Sequence, residues 1–488
     1  MTTEGTYTPP GNSRTLVVAG STLVVFALLA LALLGVGVLP APYQPYVLPG
    51  LLLGTALLPG GWIVWRRPVW GLAVVLLLVA VPWGEDEGRG VSVTPADLLA
   101  LAITGLVMLR VLLGEDDGRP RSWVMMPLLG IVAAGVVSVI ASIGPSESLV
   151  GLVRYVQIFV AVPLAVYFAL RSRSDQRLIL ITVLALGIFE GILGTYQYFT
   201  GTGAEFGESG GSRAVGTFGA YGIMGLAQLV TYALLVATAA FAVLRDGLQR
   251  TVALLLMAGL CLPLAFSLSR GFWIAAAAGI FTILALQNWR MLVALLIAGV
   301  MLIGAYSAVT EGPNVFVERF TSIFDSGASP DQSVQDRYAL WTAAQDMWAD
   351  HPVTGVGMKN FPTLLDTYVP LNFSGGSDIS DPTGGYRRVE ILSPHSLYWL
   401  IVAEQGVLGA LAYGTLFLSL GVASVRRIKR LADDSTERVF GLACLGVFVS
   451  YLVSGIYNDI GGVTEMLNSV FFGGLLWLAS GAGLSKED

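Results

Sequence analysis

Charge, histidine and cysteine are all scarce in this chain. Charged residues make up 12% of its 488 positions against 55% hydrophobic ones, a balance that ordinary soluble domains do not show. The two cysteines, Cys261 and Cys444, lie within apolar runs. They read as small buried hydrophobes, which leaves no basis for a disulfide framework or a metal site. Strict alternation of apolar and polar residues is also missing, which excludes a membrane barrel and leaves helices as the spanning structure. Paired aspartates within apolar runs, a serine elbow and a zinc motif are absent too, and this argues against an intramembrane protease. No cleavable signal is expected, because the polar start through Ser13 runs into an apolar stretch too long for a signal core.

What is present is a series of apolar runs long enough to cross a hydrocarbon core of about 30 Å. The expected fold is all-α and polytopic, with fourteen candidate spans at roughly 15–39, 44–65, 68–84, 95–113, 122–143, 150–170, 178–199, 217–243, 252–268, 271–288, 291–309, 396–423, 439–457 and 466–483. The count falls to twelve or thirteen if the second and third form a re-entrant pair. This divides the chain into a membrane part at 1–309 with a cytoplasmic amino terminus, an outer loop at 310–394, and a second membrane part at 395–488. No internal repeat and no separate soluble domain is evident.

Cations orient the spans. With the amino terminus inside, 18 of the 27 Lys and Arg fall in short inner connections, as topology demands. The other nine are Arg89, Arg154, Arg213, Arg270, Arg319, Arg337, Lys359, Arg387 and Arg388. A cation outside, or within a span at a cost of about 2.5 to 3.5 kcal/mol, needs a reason to be there. Arg213 ends a glycine-rich outer loop. Arg270 lies in Ser267-Leu268-Ser269-Arg270-Gly271 between two apolar runs, where Ser269 is placed to cap the next helix and a helix start beside an arginine suits an anion. Arg337 shares a helical face with Trp341, Ala344 and Trp348, which predicts an amphipathic helix on the outer membrane surface.

The long polar passage from about 310 to 409 holds both histidines, His351 and His395. His351 precedes Pro352 at a helix end and reads as a structural residue. His395 stands where a polar loop becomes a span. Gly406 and Gly409 follow at positions 11 and 14, nearly on its helical face, which predicts a smooth groove topped by an imidazole.

Four pieces carry a resemblance: Arg213-Ala214-Val215-Gly216-Thr217-Phe218; Ser269-Arg270-Gly271; Arg337 through Trp341 to His351-Pro352-Val353-Thr354-Gly355-Val356-Gly357; and His395-Ser396 with nine residues before Gly406 and Gly409. Together they resemble the O-antigen ligase and polymerase superfamily over about 213–409. The resemblance implies a membrane glycosyltransferase of the C type in the cytoplasmic membrane of a bacterium, active on the extracytoplasmic face. Its donor would be a glycan on a polyprenyl diphosphate and its acceptor a sugar hydroxyl of a glycan or glycolipid. No cofactor or metal is implied, and nucleic acid is not an expected partner. Mapped onto this chain, His395 is the catalytic group and Arg270, Arg337 and Arg213 bind the donor diphosphate, with Trp341 the aromatic best suited to stack on a sugar. The chemistry agrees, since guanidiniums hold a departing diphosphate and a neutral imidazole deprotonates a hydroxyl.

Each residue also has a structural reading: His395 as an interfacial cap, Arg270 as a snorkelling side chain, Arg337 as a surface arginine, Arg213 as a loop end. For Arg154 an ion pair and donor binding weigh equally; Glu404 reads as a paired structural carboxylate; Asp97 reads as a helix-dipole partner. Glu190 could partner an outer arginine. The rival function is a transporter or lipid-linked glycan flippase, whose signature would be charges near mid-bilayer in several spans.

Overall fold

The computed structural model describes residues 61–81, 94–115, 122–206, 211–219, 223–294, 332–369, 391–459 and 464–481. The expected span at 15–39, most of those at 44–65 and 291–309, and the loop from 371 to 386 lie outside them. The chain forms two compact units, residues 1–70 and 71–488; in the first, the described residues 61–70 are largely helical.

The helices are α1 (Pro68–Leu78), α2 (Pro95–Leu112), α3 (Ser122–Ile140), α4 (Pro145–Val156), α5 (Val162–Ala169), α6 (Arg173–Thr200), α7 (Ile223–Val243), α8 (Gly247–Phe266), α9 (Arg270–Gln287), α10 (Gln332–Asp350), α11 (Phe361–Tyr368), α12 (Leu397–Ile428), α13 (Thr436–Ser454) and α14 (Glu465–Ser480). Among the described residues the only sheet is an antiparallel ribbon of β1 (Ala204–Phe206) and β2 (Gly211–Arg213), with Ala204 opposite Arg213. The fold is therefore all-α. Among the described residues eight helical stretches are long and apolar enough to cross a membrane, and α1 and the apolar part of α3 are shorter. The chain is a multi-pass membrane protein.

Local chemistry sets the helix starts. Thr94 and Asp97 form a reciprocal capping box at α2, and Ser172 and Asp175 do the same at α6, each satisfying two otherwise unpaired N–H groups. Between α4 and α5 the helix widens into a π turn, Gln157–Ala161. Pro163 follows at once and has no N–H to return to the Phe159 carbonyl, so the ladder shifts by one residue there.

The centre of the bundle is α7, α13 and α14. Every residue of α14 is buried, as expected of a helix apolar on all sides. Beneath the π turn, Phe159, Tyr413, Phe417, Tyr451 and Phe472 interlock edge to face and in tilted pairs, with ring centroids 5.0 Å apart for Phe159–Tyr413 and for Tyr451–Phe472. Where α9 crosses α13, Gly279 lies against the backbone of Gly446, a close approach that small residues permit. The cysteines divide: Cys444 is buried as expected, but Cys261 is exposed, because α8 presents much of its surface outward.

The two ends of the bundle differ in charge chemistry. At one end three cations are ion-paired: Arg173 with Glu437 at 3.5 Å and Arg245 with Asp434 at 3.8 Å across connections, and Arg438 with Asp433 at 3.2 Å within one. The other end carries Arg213, Arg270, Arg337, Lys359 and His395.

Candidate active site

The segment after α10 is threaded into the bundle. Val356 N–H donates to the Ala403 carbonyl at 2.9 Å, Gly357 N–H to Glu404 at 3.0 Å, and Val407 N–H to Pro352 at 2.9 Å. These bonds use α12 carbonyls and N–H groups that an unbroken helix would keep. They are available because α12 is broken at Gly406, whose φ is 60° and ψ −157°, a conformation that essentially only glycine adopts. The expected smooth glycine groove is thus corrected. His395 precedes α12, Ser396 is its N-cap residue, and the space over Gly406 is filled by the backbone of Val353 and Gly355.

The far side of this segment is pinned by Asn360. Its Nδ2 donates to Ser142 Oγ and Ser148 Oγ, both at 2.8 Å, and Ser148 Oγ donates to the Met358 carbonyl at 2.9 Å. Glu404 lies beneath, buried, accepting from Tyr155 OH and Phe361 N–H at 3.3 Å each. The hydrogen-bond donors that meet its carboxylate here are neutral groups.

Helix α10 packs on α12, but the face it buries is Leu340, Ala343, Ala344 and Met347. The expected stripe of 337, 341, 344 and 348 is therefore rotated: Arg337 and Trp341 flank the contact and Trp348 is exposed. Trp341 Nε1 donates to the Pro394 carbonyl at 3.1 Å, which fixes α10 beside the turn of His395. His351 ends α10, its N–H bonded to Met347 O at 3.1 Å.

One turn that the sequence reading passed over joins the expected site residues, the connection from Gly455 to Asp459 between α13 and α14. The Arg337 guanidinium stands 5.9 Å from the centre of the Tyr457 ring. The same ring flanks Gly271, beside Arg270, at 3.5 Å from where a Cβ would sit. Leu397 N–H, at the start of α12, donates to the carbonyls of Gly455 and Asn458 at 2.8 and 2.7 Å. Ser393 Oγ bonds the Asp459 carboxylate and accepts the His395 N–H at 3.2 Å. Burial pushes the Asp459 carboxyl above its ordinary range, while His395 and Lys359 both pull it back down. The imidazole, the ammonium and the carboxylate therefore share one electrostatic neighbourhood. Asp459 is a lone carboxylate in a short polar turn between two apolar runs, and that was the only signal available in the sequence.

Backbone strain marks the same place. Among the described residues, the non-glycine residues with positive φ are Leu268, Lys359 and His395, at 53°, 61° and 49°. Each such conformation costs about 1 to 3 kcal/mol, and such residues concentrate at functional sites. Leu268 shapes the turn into Arg270. Ser269 occupies the N-cap position of α9, yet its side chain does not cap the helix; its hydroxyl meets Met224 Sδ at 3.2 Å.

The remaining charges are engaged locally. Arg213 donates through Nε and Nη2 to the Ser267 carbonyl at 3.1 and 2.7 Å and is 8% exposed, so it braces the turn before Arg270. Glu190 accepts from Thr217 N–H at 2.9 Å and Thr217 Oγ1 at 2.7 Å. With Gln197, which accepts from Gly216 N–H at 2.7 Å, it clasps the Val215-Gly216-Thr217 turn. Arg154 is ion-paired with buried Asp97, which settles its two readings in favour of the pair. Among the described residues, no group of three or more His, Cys, Asp or Glu is placed to hold a metal ion.

No curated protein matches the chain. A family model described as O-antigen ligase matches residues 252–414, a segment that opens in α8, contains Arg270, Arg337 and His395, and closes in α12 just past the break at Gly406. Arg213 and Asp459 lie outside it. Over this segment, about a third of its length, the chain is similar to the O-antigen ligase family.

Proposed function

We propose that the chain transfers a glycan from a polyprenyl diphosphate to a sugar hydroxyl of a glycan or glycolipid acceptor, on the outer face of a bacterial cytoplasmic membrane. The acceptor hydroxyl gives its proton to the His395 imidazole as its oxygen bonds the donor's anomeric carbon. The bond from that carbon to the diphosphate oxygen breaks on the opposite side, its electron pair leaves with the polyprenyl diphosphate, and configuration inverts. Arg270 and Arg337 hold the charge that develops on the leaving group. Asp459 faces the imidazolium that forms and orients it; the proton then passes to water. Trp341 offers its ring face to a sugar. The chemistry requires no metal.

The observation that carries this reading is that Arg337, His395 and the start of α9 that bears Arg270, far apart in sequence, meet the one turn at Tyr457–Asp459. The test is His395→Gly in membranes supplied with lipid-linked glycan. Glycine accepts the left-handed backbone at 395, so the fold is kept while the imidazole is lost. Transfer is expected to fall by about 10²- to 10⁴-fold with accumulation of the lipid-linked donor. Full transfer by this variant would remove His395 as the base.

A further inference from the structure

A cleft of about 660 Å³ opens at the end of α12 opposite His395. Its wall follows one helical ridge: Leu418, Val422, Arg426 and Arg430 succeed one another at four-residue spacing, with Ala423 and Arg427 beside them. The end of α14 forms the facing side through Ala479 and Gly481. The apolar part begins at Thr415, eleven residues before Arg426. At 1.5 Å per residue that is about 16 Å, close to half of a hydrocarbon core of about 30 Å. Leu418 and Val422 are 69% and 40% exposed, as a lipid-facing strip would be.

The three arginines at its mouth differ from their neighbours. Arg173, Arg245 and Arg438, at the same end of the bundle, have carboxylate partners. Among the described residues Arg426, Arg427 and Arg430 have none. Orientation rules account for cations at this end. They do not account for three on one face, lacking carboxylates, with an apolar strip one leaflet deep running up to them. A lipid with a negative head and one of its chains on the strip matches that arrangement: guanidiniums fork onto phosphate oxygens, and basic pockets at the ends of membrane helices hold anionic headgroups.

We propose that this cleft binds an anionic phospholipid of the leaflet opposite His395, its phosphate among Arg426, Arg427 and Arg430 and an acyl chain along Val422, Leu418 and Thr415. The site is independent of the glycosyl-transfer reading.

The test is native mass spectrometry of the full chain released from nanodiscs of phosphatidylglycerol or phosphatidylcholine. Phosphatidylglycerol should be retained and phosphatidylcholine lost. Arg426→Gln/Arg427→Gln/Arg430→Gln should weaken retention by on the order of a hundredfold, each cation contributing about a factor of five. Ala423→Trp, which fills the cleft and leaves every charge in place, should abolish it, so the result does not depend on the charge variant keeping its orientation. Glycerol 1-phosphate at millimolar concentration should not displace the lipid, since it lacks the chain. Equal retention of both lipids, retention unchanged by Ala423→Trp, displacement by glycerol 1-phosphate, or a second copy of the chain covering the cleft would each overturn the proposal.

Discussion

Gly355 and Gly406 meet backbone to backbone: a Cβ on Gly406 would stand 2.7 Å from Gly355 N. The contact joins the segment after α10 to the break in α12, and through it the turn of His395 is held against the helix of Arg337. Two glycines spaced far apart in the chain therefore serve one junction.

Gly406→Ala tests that junction. The dihedral conflict alone costs about 1 to 3 kcal/mol, and the displaced Val353–Gly355 backbone adds to it. Thermal unfolding in detergent should show the loss, together with reduced transfer. A variant as stable as the parent would show that the close approach is dispensable.

Arg213→Ala separates bracing from donor binding. Loss of the charged donors to Ser267 O should lower stability by about 1.5 to 3 kcal/mol and reduce transfer through the turn before Arg270. Were Arg213 instead a diphosphate ligand, donor affinity would fall while the unfolding temperature stayed where it was.

For Asp459 the sign follows from burial. Its carboxyl is raised in the folded protein, so the folded state keeps the proton longer than the unfolded chain does. The residue therefore costs stability as pH rises from the ordinary aspartate value of about 3.9 through its folded value, and the cost is complete above that window. Asp459→Asn should unfold at a higher temperature than the parent at neutral pH, with the difference vanishing near pH 4. It should nevertheless lose turnover with little change in donor KM, because the group facing the imidazole is gone. Stability curves at pH 4 and pH 8 with steady-state transfer rates check both halves.

Arg154→Met leaves Asp97 buried without its partner, a loss of about 3 to 5 kcal/mol. Adding Asp97→Asn removes the orphaned charge and should recover most of it. If the single and double variants were equally unstable, the pair would not be the reason for Arg154's place inside the span.

Much of the candidate site was legible because chemistry leaves marks in composition. Arg270, Arg337 and His395 stood out as polar groups where topology or lipid disfavours them, and Trp341 as their neighbour on a helix. Asp459 left no such mark, since a carboxylate in an outer turn is unremarkable until the fold brings it to an imidazole. Ser269 looked like a cap, but the strained turn at Leu268 aims its hydroxyl at Met224.

The sequence by itself determined the helical membrane class, the separation of cations between the two ends, and which cations stand where orientation rules disfavour them. Those follow from transfer free energies that each residue carries wherever it lies. Tertiary structure alone decided that α12 breaks at Gly406, that α10 buries Leu340 and Met347 against it, and that the Tyr457–Asp459 turn meets Arg337, His395 and the start of α9. Such outcomes depend on which backbone groups find partners across the bundle, and pairing between distant segments has no local signature.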